Sequence, residues 1–134
     1  MIDDIDLNKA AIIRRCLKRI SEEYRGNPSR LDDFTIQDSI VLNLLRACEA
    51  AIDLAMHRVA QGRFGIPQTS RDSFQLLAQN GILSHASATA MKHMVGFRNI
   101  AVHNNYQNIQ LPILQAIVEK HLVDFESYLG ELSL

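Results

Sequence analysis

Apolar residues recur along this chain at helical spacing, and no stretch sustains the alternation of a strand. From about Asp6 to Tyr24, the residues Ile12, Ile13, Cys16, Leu17, Ile20 and Tyr24 follow i, i+3, i+4 steps, which predicts a first helix. Gly26-Asn27-Pro28-Ser29 ends it. A second and longest segment, about Asp33 to Gln61, places Ile36, Ile40, Val41, Leu44, Leu45, Ala47, Cys48, Ala51, Ile52, Ala55 and Val59 over much of the helix surface. A helix so broadly apolar should meet neighbours on two sides, as the centre of a bundle or as half of a dimer interface as well. After the turn-rich Gly62-Arg63-Phe64-Gly65-Ile66-Pro67, Thr69 or Ser70 caps a short helix that carries Phe74, Leu76 and Leu77 and stops at Asn80-Gly81. Ser84 caps a fourth helix, expected to run through His103. Pro112 opens a fifth, with Leu114, Ile117, Val118, Leu122, Phe125, Leu129 and Leu132 on its stripe. The pattern predicts one all-α domain over 1–134, an up-and-down helical bundle of four main helices plus one short helix.

Composition narrows what such a bundle does. A net charge of −1 excludes a protein that grips a long duplex by charge alone, so any nucleic-acid contact must be a local basic cleft. Arg14, Arg15, Lys18 and Arg19 line the outer side of the first helix, either as a solvated face paired with Glu22 and Glu23 or as a patch facing RNA or a partner. No apolar run approaches the roughly 18 residues of a membrane span. The acidic start Met1-Ile2-Asp3-Asp4-Ile5-Asp6 is unlike a secretory signal, and a cytoplasmic protein is expected. Cys16 and Cys48 have no redox or metal-ligand spacing and lie in apolar stripes, where reduced core thiols are expected.

The candidate chemistry sits in the fourth helix. At about 100° per residue, Met91, Met94, Val95 and Val102 share a face, and Arg98 falls in its middle. An unpaired guanidinium is costly to bury, so Arg98 needs a partner, a ligand or a water-filled cleft. His103 follows five residues later and can take and give a proton near neutral pH. Within one helix those two diverge by about 140°, so a two-fold dimer that sets two copies of the helix face to face would join them more simply. Arg46, Glu49, Asp53 and His57 form a line on the second helix. They are either a solvent-exposed ladder of charge pairs or the source of a carboxylate, Glu49 or Asp53, that pairs with Arg98. No matched metal-ligand set is expected, and no cofactor. An imidazole and a fixed cation suffice for RNA cleavage through a 2′,3′-cyclic phosphate.

Gly96-Phe97-Arg98-Asn99-Ile100-Ala101-Val102-His103 resembles the Arg-x4-His signature of HEPN-domain RNases, and most closely their HepT branch. The likeness extends to the lead-in Asp38 to Asp53 and to the order of long and short helices. The resemblance implies a HEPN-like fold and a metal-independent endoribonuclease toxin. It implies a homodimer with Arg98 and His103 catalytic at the shared cleft and Asn99 supporting them. It also implies a minimal nucleotidyltransferase antitoxin that silences the toxin by attaching AMP to a tyrosine in a His-x-Tyr arrangement. Here the spacing is His103-Asn104-Asn105-Tyr106, one residue longer, and Tyr106 is the candidate nearby. A second class of function is a non-catalytic helical subunit that holds a nucleotide or substrate for a partner nucleotidyltransferase.

Overall fold

The computed structural model describes residues 1–103 and 109–134. Its helices are α1 (Asp4–Tyr24), α2 (Phe34–Gly62), α3 (Ser70–Gln79), α4 (His85–His103), α5 (Leu111–Ala116) and α6 (Leu122–Glu131), with a 3₁₀ turn at Pro28–Asp32. A π-helical turn, Ile117–His121, joins α5 to α6, so together they form the fifth helix expected from the sequence. The fold class is the predicted one, all-α, with four long helical runs and a short one.

Local chemistry sets each boundary. Asp3 caps α1, accepting from the Asp6 amide at 3.0 Å, while Asp6 accepts from the Asp3 amide at 2.9 Å. This reciprocal box starts the helix two residues before the apolar stripe suggests, because the stripe marks the core face and not the cap. Asp33 caps α2 by accepting from the Thr35 and Ile36 amides. Of the two candidates for α3, Thr69 is the cap, and its hydroxyl accepts from the Asp72 amide. Ser84 accepts from the Ser87 amide at the start of α4. Gly81, at φ +73°, carries the chain out of α3 in a conformation that favours glycine.

α2 is the centre of the bundle and contacts α1, α3 and α4. That accounts for its breadth of apolar surface without assigning any of it to a second copy. The core runs from Ile13 and Ile20 through Ile40, Leu44 and Leu54 to Phe74, Met91, Phe125 and Tyr128, all fully buried. Each such side chain contributes about 1.5–3 kcal/mol by leaving water. Tyr128 lies edge-on to Phe74 and donates to the Ala51 carbonyl at 2.9 Å, which satisfies a phenol that burial holds protonated. Cys16 and Cys48 are free and buried, and burial pushes the Cys48 thiol up to about 12.

Polar side chains tie the elements together at two places. Asp6 is fully buried and accepts from Arg58 Nε at 2.7 Å, and Arg58 Nη2 donates to the Leu132 carbonyl at 3.0 Å. One arginine therefore joins α1, α2 and the end of α6. Glu131 accepts from the Ser84 amide at 2.7 Å and from the hydroxyls of Ser84 and Ser87 at 2.8 and 2.9 Å. The start of α4 is thus held by the last residue of α6. No helix among the described residues is long and apolar enough to cross a membrane.

Candidate functional site

Arg98 emerges from the apolar face of α4 into the seam between α2 and α3. Met91, Met94 and Val95 on that face are buried, as the helix arithmetic requires. Val102 is not: it is 52% exposed. The apolar stripe therefore ends before the histidine.

Arg98 is mostly buried, with 21% of its side chain exposed. Its Nη1 lies 3.3 Å from Glu49 Oε1, and its Nη2 donates to Ser70 Oγ at 2.7 Å. Nε is buried and has no hydrogen-bond partner among the described residues. Ser70 is the first residue of α3, so the guanidinium stands at the positive pole of that helix. Two positive ends side by side are unfavourable, and the Glu49 carboxylate offsets them. Glu49 itself is 45% exposed on its side chain, so the pair faces solvent on one side and is worth less than a buried bridge.

Of the two carboxylates expected near Arg98, only Glu49 reaches it. Asp53 turns the other way and pairs with Lys9 of α1 at 3.0 Å. The polar line on α2 is consequently not a ladder of mutual pairs. Glu49 goes to α4, Asp53 to α1, and His57 Nε2 bonds Asp3 Oδ2 at 2.7 Å. One helical turn rotates a side chain enough to face a different neighbour, since α2 is surrounded. Asp3, Asp6 and His57 converge closely enough to hold a metal ion. Their oxygens, however, are already committed to the α1 cap and to Arg58.

His103 is the last residue of α4 and is exposed at the negative pole of the helix. No hydrogen bond joins it to Arg98 among the described residues. Asn99 is half-buried beside Arg98 in sequence. Tyr106 lies outside the described residues. Sequence reasoning missed Ser70 as the second holder of Arg98, since a serine near a helix start reads first as a cap.

Arg71, the next residue of α3, lies across α4, and its Nε donates to the Lys92 carbonyl at 3.3 Å. Gly96 makes that crossing feasible, because a Cβ there would meet Arg71 Nη2 at 3.0 Å. Lys92 in turn donates to Gln75. Arg71 and Lys92 thus tie α3 to α4. On the opposite flank of α4, a cleft of about 860 Å³ opens toward α5 and the π turn, walled by Phe97, Ile100, Ile113 and Ile117. Neither Arg98 nor His103 lines it.

A guanidinium held at two nitrogens and followed on the same helix by an exposed imidazole suits an anionic group such as a phosphodiester. Known proteins agree in fold and family. Residues 12–132 match the family described as ribonuclease HepT-like. The chain is 50% identical over 128 residues, 96% of each protein, to the mRNA nuclease HepT of Shewanella oneidensis. It also superposes on the tri-AMPylated Shewanella oneidensis HEPN toxin solved in complex with MNT antitoxin. There the TM-score is 0.92 at 50% identity, over 98% of both chains. A second structure, a toxin–antitoxin with AMP-PNP, matches with a TM-score of 0.90 at 47% identity over 98% of both chains. With a family match that spans nearly its whole length and a fold that superposes end to end, this chain belongs to the ribonuclease HepT-like family.

Proposed function

We propose that this chain is the toxin of a toxin–antitoxin pair, an endoribonuclease that cleaves cellular RNA at a site built from Arg98 and His103 of two protomers. The observation that carries this reading is the double anchoring of Arg98 by Glu49 and Ser70, which holds a cation ready on the helix that ends in an exposed His103. The 50% identity to an mRNA nuclease supports RNA as the substrate class.

In this mechanism neutral His103 takes the proton of a ribose 2′-hydroxyl. The 2′-oxygen attacks the adjacent phosphorus, and the bond from phosphorus to the 5′-oxygen breaks. The products are a 2′,3′-cyclic phosphate and a 5′-hydroxyl, whose proton comes from the second protomer's imidazolium or from water. Arg98 stabilises the charge gathering on the equatorial oxygens, and Asn99 supports the pair. General acid–base help contributes about 10²- to 10⁴-fold, and a cation aimed at the developing charge a comparable factor. Because Arg98 and His103 point apart along one helix, pairing the sites across a two-fold axis brings an imidazole to each guanidinium. All these steps use protein groups alone.

Control comes from a nucleotidyltransferase partner. The Tyr106 phenol attacks the α-phosphorus of ATP, forms a tyrosyl–AMP bond and releases pyrophosphate, while its proton passes to solvent. The added phosphate occupies the anion site that RNA needs. The tri-AMPylated state of the superposed toxin supports this chemistry.

The test uses antitoxin-free protein and defined RNA in the presence of a chelator. Wild type should cleave and leave cyclic-phosphate ends. Arg98→Ala and His103→Ala should each fall by about 10²-fold or more. Equal rates for all three would remove these residues from the chemistry. After co-expression with the partner, intact mass should rise by one or more AMP units and stay unmodified in Tyr106→Phe. A rise that survives this substitution places the acceptor elsewhere.

A further inference from the structure

We infer that Ser70 is a positioning residue for Arg98, fixing which of its N–H groups face the scissile phosphate. The inference rests on the RNase reading above and deepens it. The guanidinium carries five donors in one plane. One Nη1 proton is directed to Glu49 and one Nη2 proton to Ser70, while Nε is buried away from solvent. What remains for an incoming phosphate is the outward Nη1 and Nη2 pair, so anion capture is end-on and not along the Nε edge.

The two anchors differ in kind. The Glu49 carboxylate holds by charge and weakens the cation it holds. It is also the longer contact, and its side chain is 45% exposed. The Ser70 hydroxyl holds by a short hydrogen bond and leaves the positive charge whole. It is itself fixed, since α3 is capped at Thr69 and the Ser70 carbonyl accepts from the Ser73 hydroxyl at 2.6 Å. With α2 and α3 each holding one nitrogen, rotation about the last bonds of Arg98 stops. If Ser70 is truncated, Glu49 alone remains, and the guanidinium swings about that single contact. Misplacement of about 1 Å can cost as much as 10²-fold in rate with little effect on substrate affinity.

The experiment compares wild type with Ser70→Ala and Ser70→Thr, reading kcat and KM for RNA cleavage alongside Tm. We expect Ser70→Ala to lower kcat about tenfold, with KM changed less than twofold and Tm nearly kept. Ser70→Thr restores the hydroxyl and should return kcat to within about threefold of wild type. A second readout is the nitrogen–proton spectrum of the Arg98 side chain. Its Nη2 protons should give separate, slowly exchanging signals in wild type and merge in Ser70→Ala. Active wild type with unimpaired Ser70→Ala overturns the inference, as does Ser70→Thr that is no better than Ser70→Ala. Wild type that cleaves no RNA overturns the RNase reading and the catalytic role of Ser70 with it. In that case the spectrum still decides whether the Ser70–Arg98 contact exists in solution.

Discussion

At the scale of single residues, the most consequential polar contact outside the site is the one between Asp6 and Arg58. Asp6 is fully buried and the Arg58 side chain is 14% exposed, so each depends on the other for its charge. Removing one partner from such a pair leaves an uncompensated buried charge, at a cost of roughly 3–5 kcal/mol. Asp6→Ala should therefore lower the free energy of unfolding by at least about 3 kcal/mol in a urea titration, well above the ~1 kcal/mol of a lost cap. A loss near 1 kcal/mol would mean that water reaches Arg58 in the folded state. Little of this was legible in the sequence. Asp6 reads as part of an acidic start, and Arg58 as one more exposed cation. Arg98 was legible because a guanidinium amid Met91, Met94 and Val95 violates the pattern around it. Ser70 was not, because nothing about a serine at a helix start is out of place. The choice between Glu49 and Asp53 was equally hidden. They lie four residues apart on one face, and only the position of α1 relative to α4 separates their partners.

At the scale of elements, helix periodicity located all the long segments, and Ser84, Asn80-Gly81 and Pro112 marked their ends correctly. What periodicity cannot show is how one element holds the end of another. Glu131 receives three hydrogen bonds at the start of α4. Burial alone pushes its carboxyl up, but the hydrogen bonds from the Ser84 amide and the Ser84 and Ser87 hydroxyls outweigh it and hold the group below its ordinary value. A carboxylate with a depressed folded pKa adds stability above its unfolded pKa and loses it as pH falls through the folded one. Asp3 shifts the same way, first through the Asp6 amide it accepts from. Thermal stability should accordingly decline below about pH 4.5. In Glu131→Gln the decline should be shallower, from a lower starting Tm near neutral pH. Parallel Tm–pH curves for the two proteins would show that Glu131 contributes nothing to the acid sensitivity.

At the scale of the whole molecule, the fold leaves apolar side chains bare at the end of α4 that carries the proposed site. Ile100, Val102 and His103 are exposed there, although the same helix buries its apolar residues three turns earlier. An isolated bundle gains nothing from placing isoleucine and valine in water beside a histidine, whereas a two-fold pairing of α4 would cover them. Val102→Glu is expected to leave the folded bundle intact, since the side chain is 52% exposed. It should convert a dimer to a monomer in sedimentation and abolish RNA cleavage together. A dimer that persists in this variant would place the two-fold contact on another face. The sequence alone could propose the dimer, from the divergence of Arg98 and His103. It could not separate a dimer surface from the interior burial of α2, which packs against α1, α3 and α4.

The π turn at Ile117–His121 has a consequence for how the chain tolerates changes in length. It winds one residue more into a turn than an α-helix does, so α5 and α6 are out of helical register with each other. The extra residue lets α5 meet the 3₁₀ turn while α6 meets α4 and α1. Tyr24 of α1 pins the turn through Glu119. Replacing exposed Lys120 should therefore be harmless, and so should deleting it, because the π turn then closes to an even α-helical turn that leaves α6 in place. A deletion within α6, for example of exposed Ser127, has no such slack and would rotate everything downstream by about 100°. Tyr128 would leave Ala51, the Leu132 carbonyl would leave Arg58, and Glu131 would leave the start of α4. At the π turn both spelling and counting are free; within α6 only spelling is.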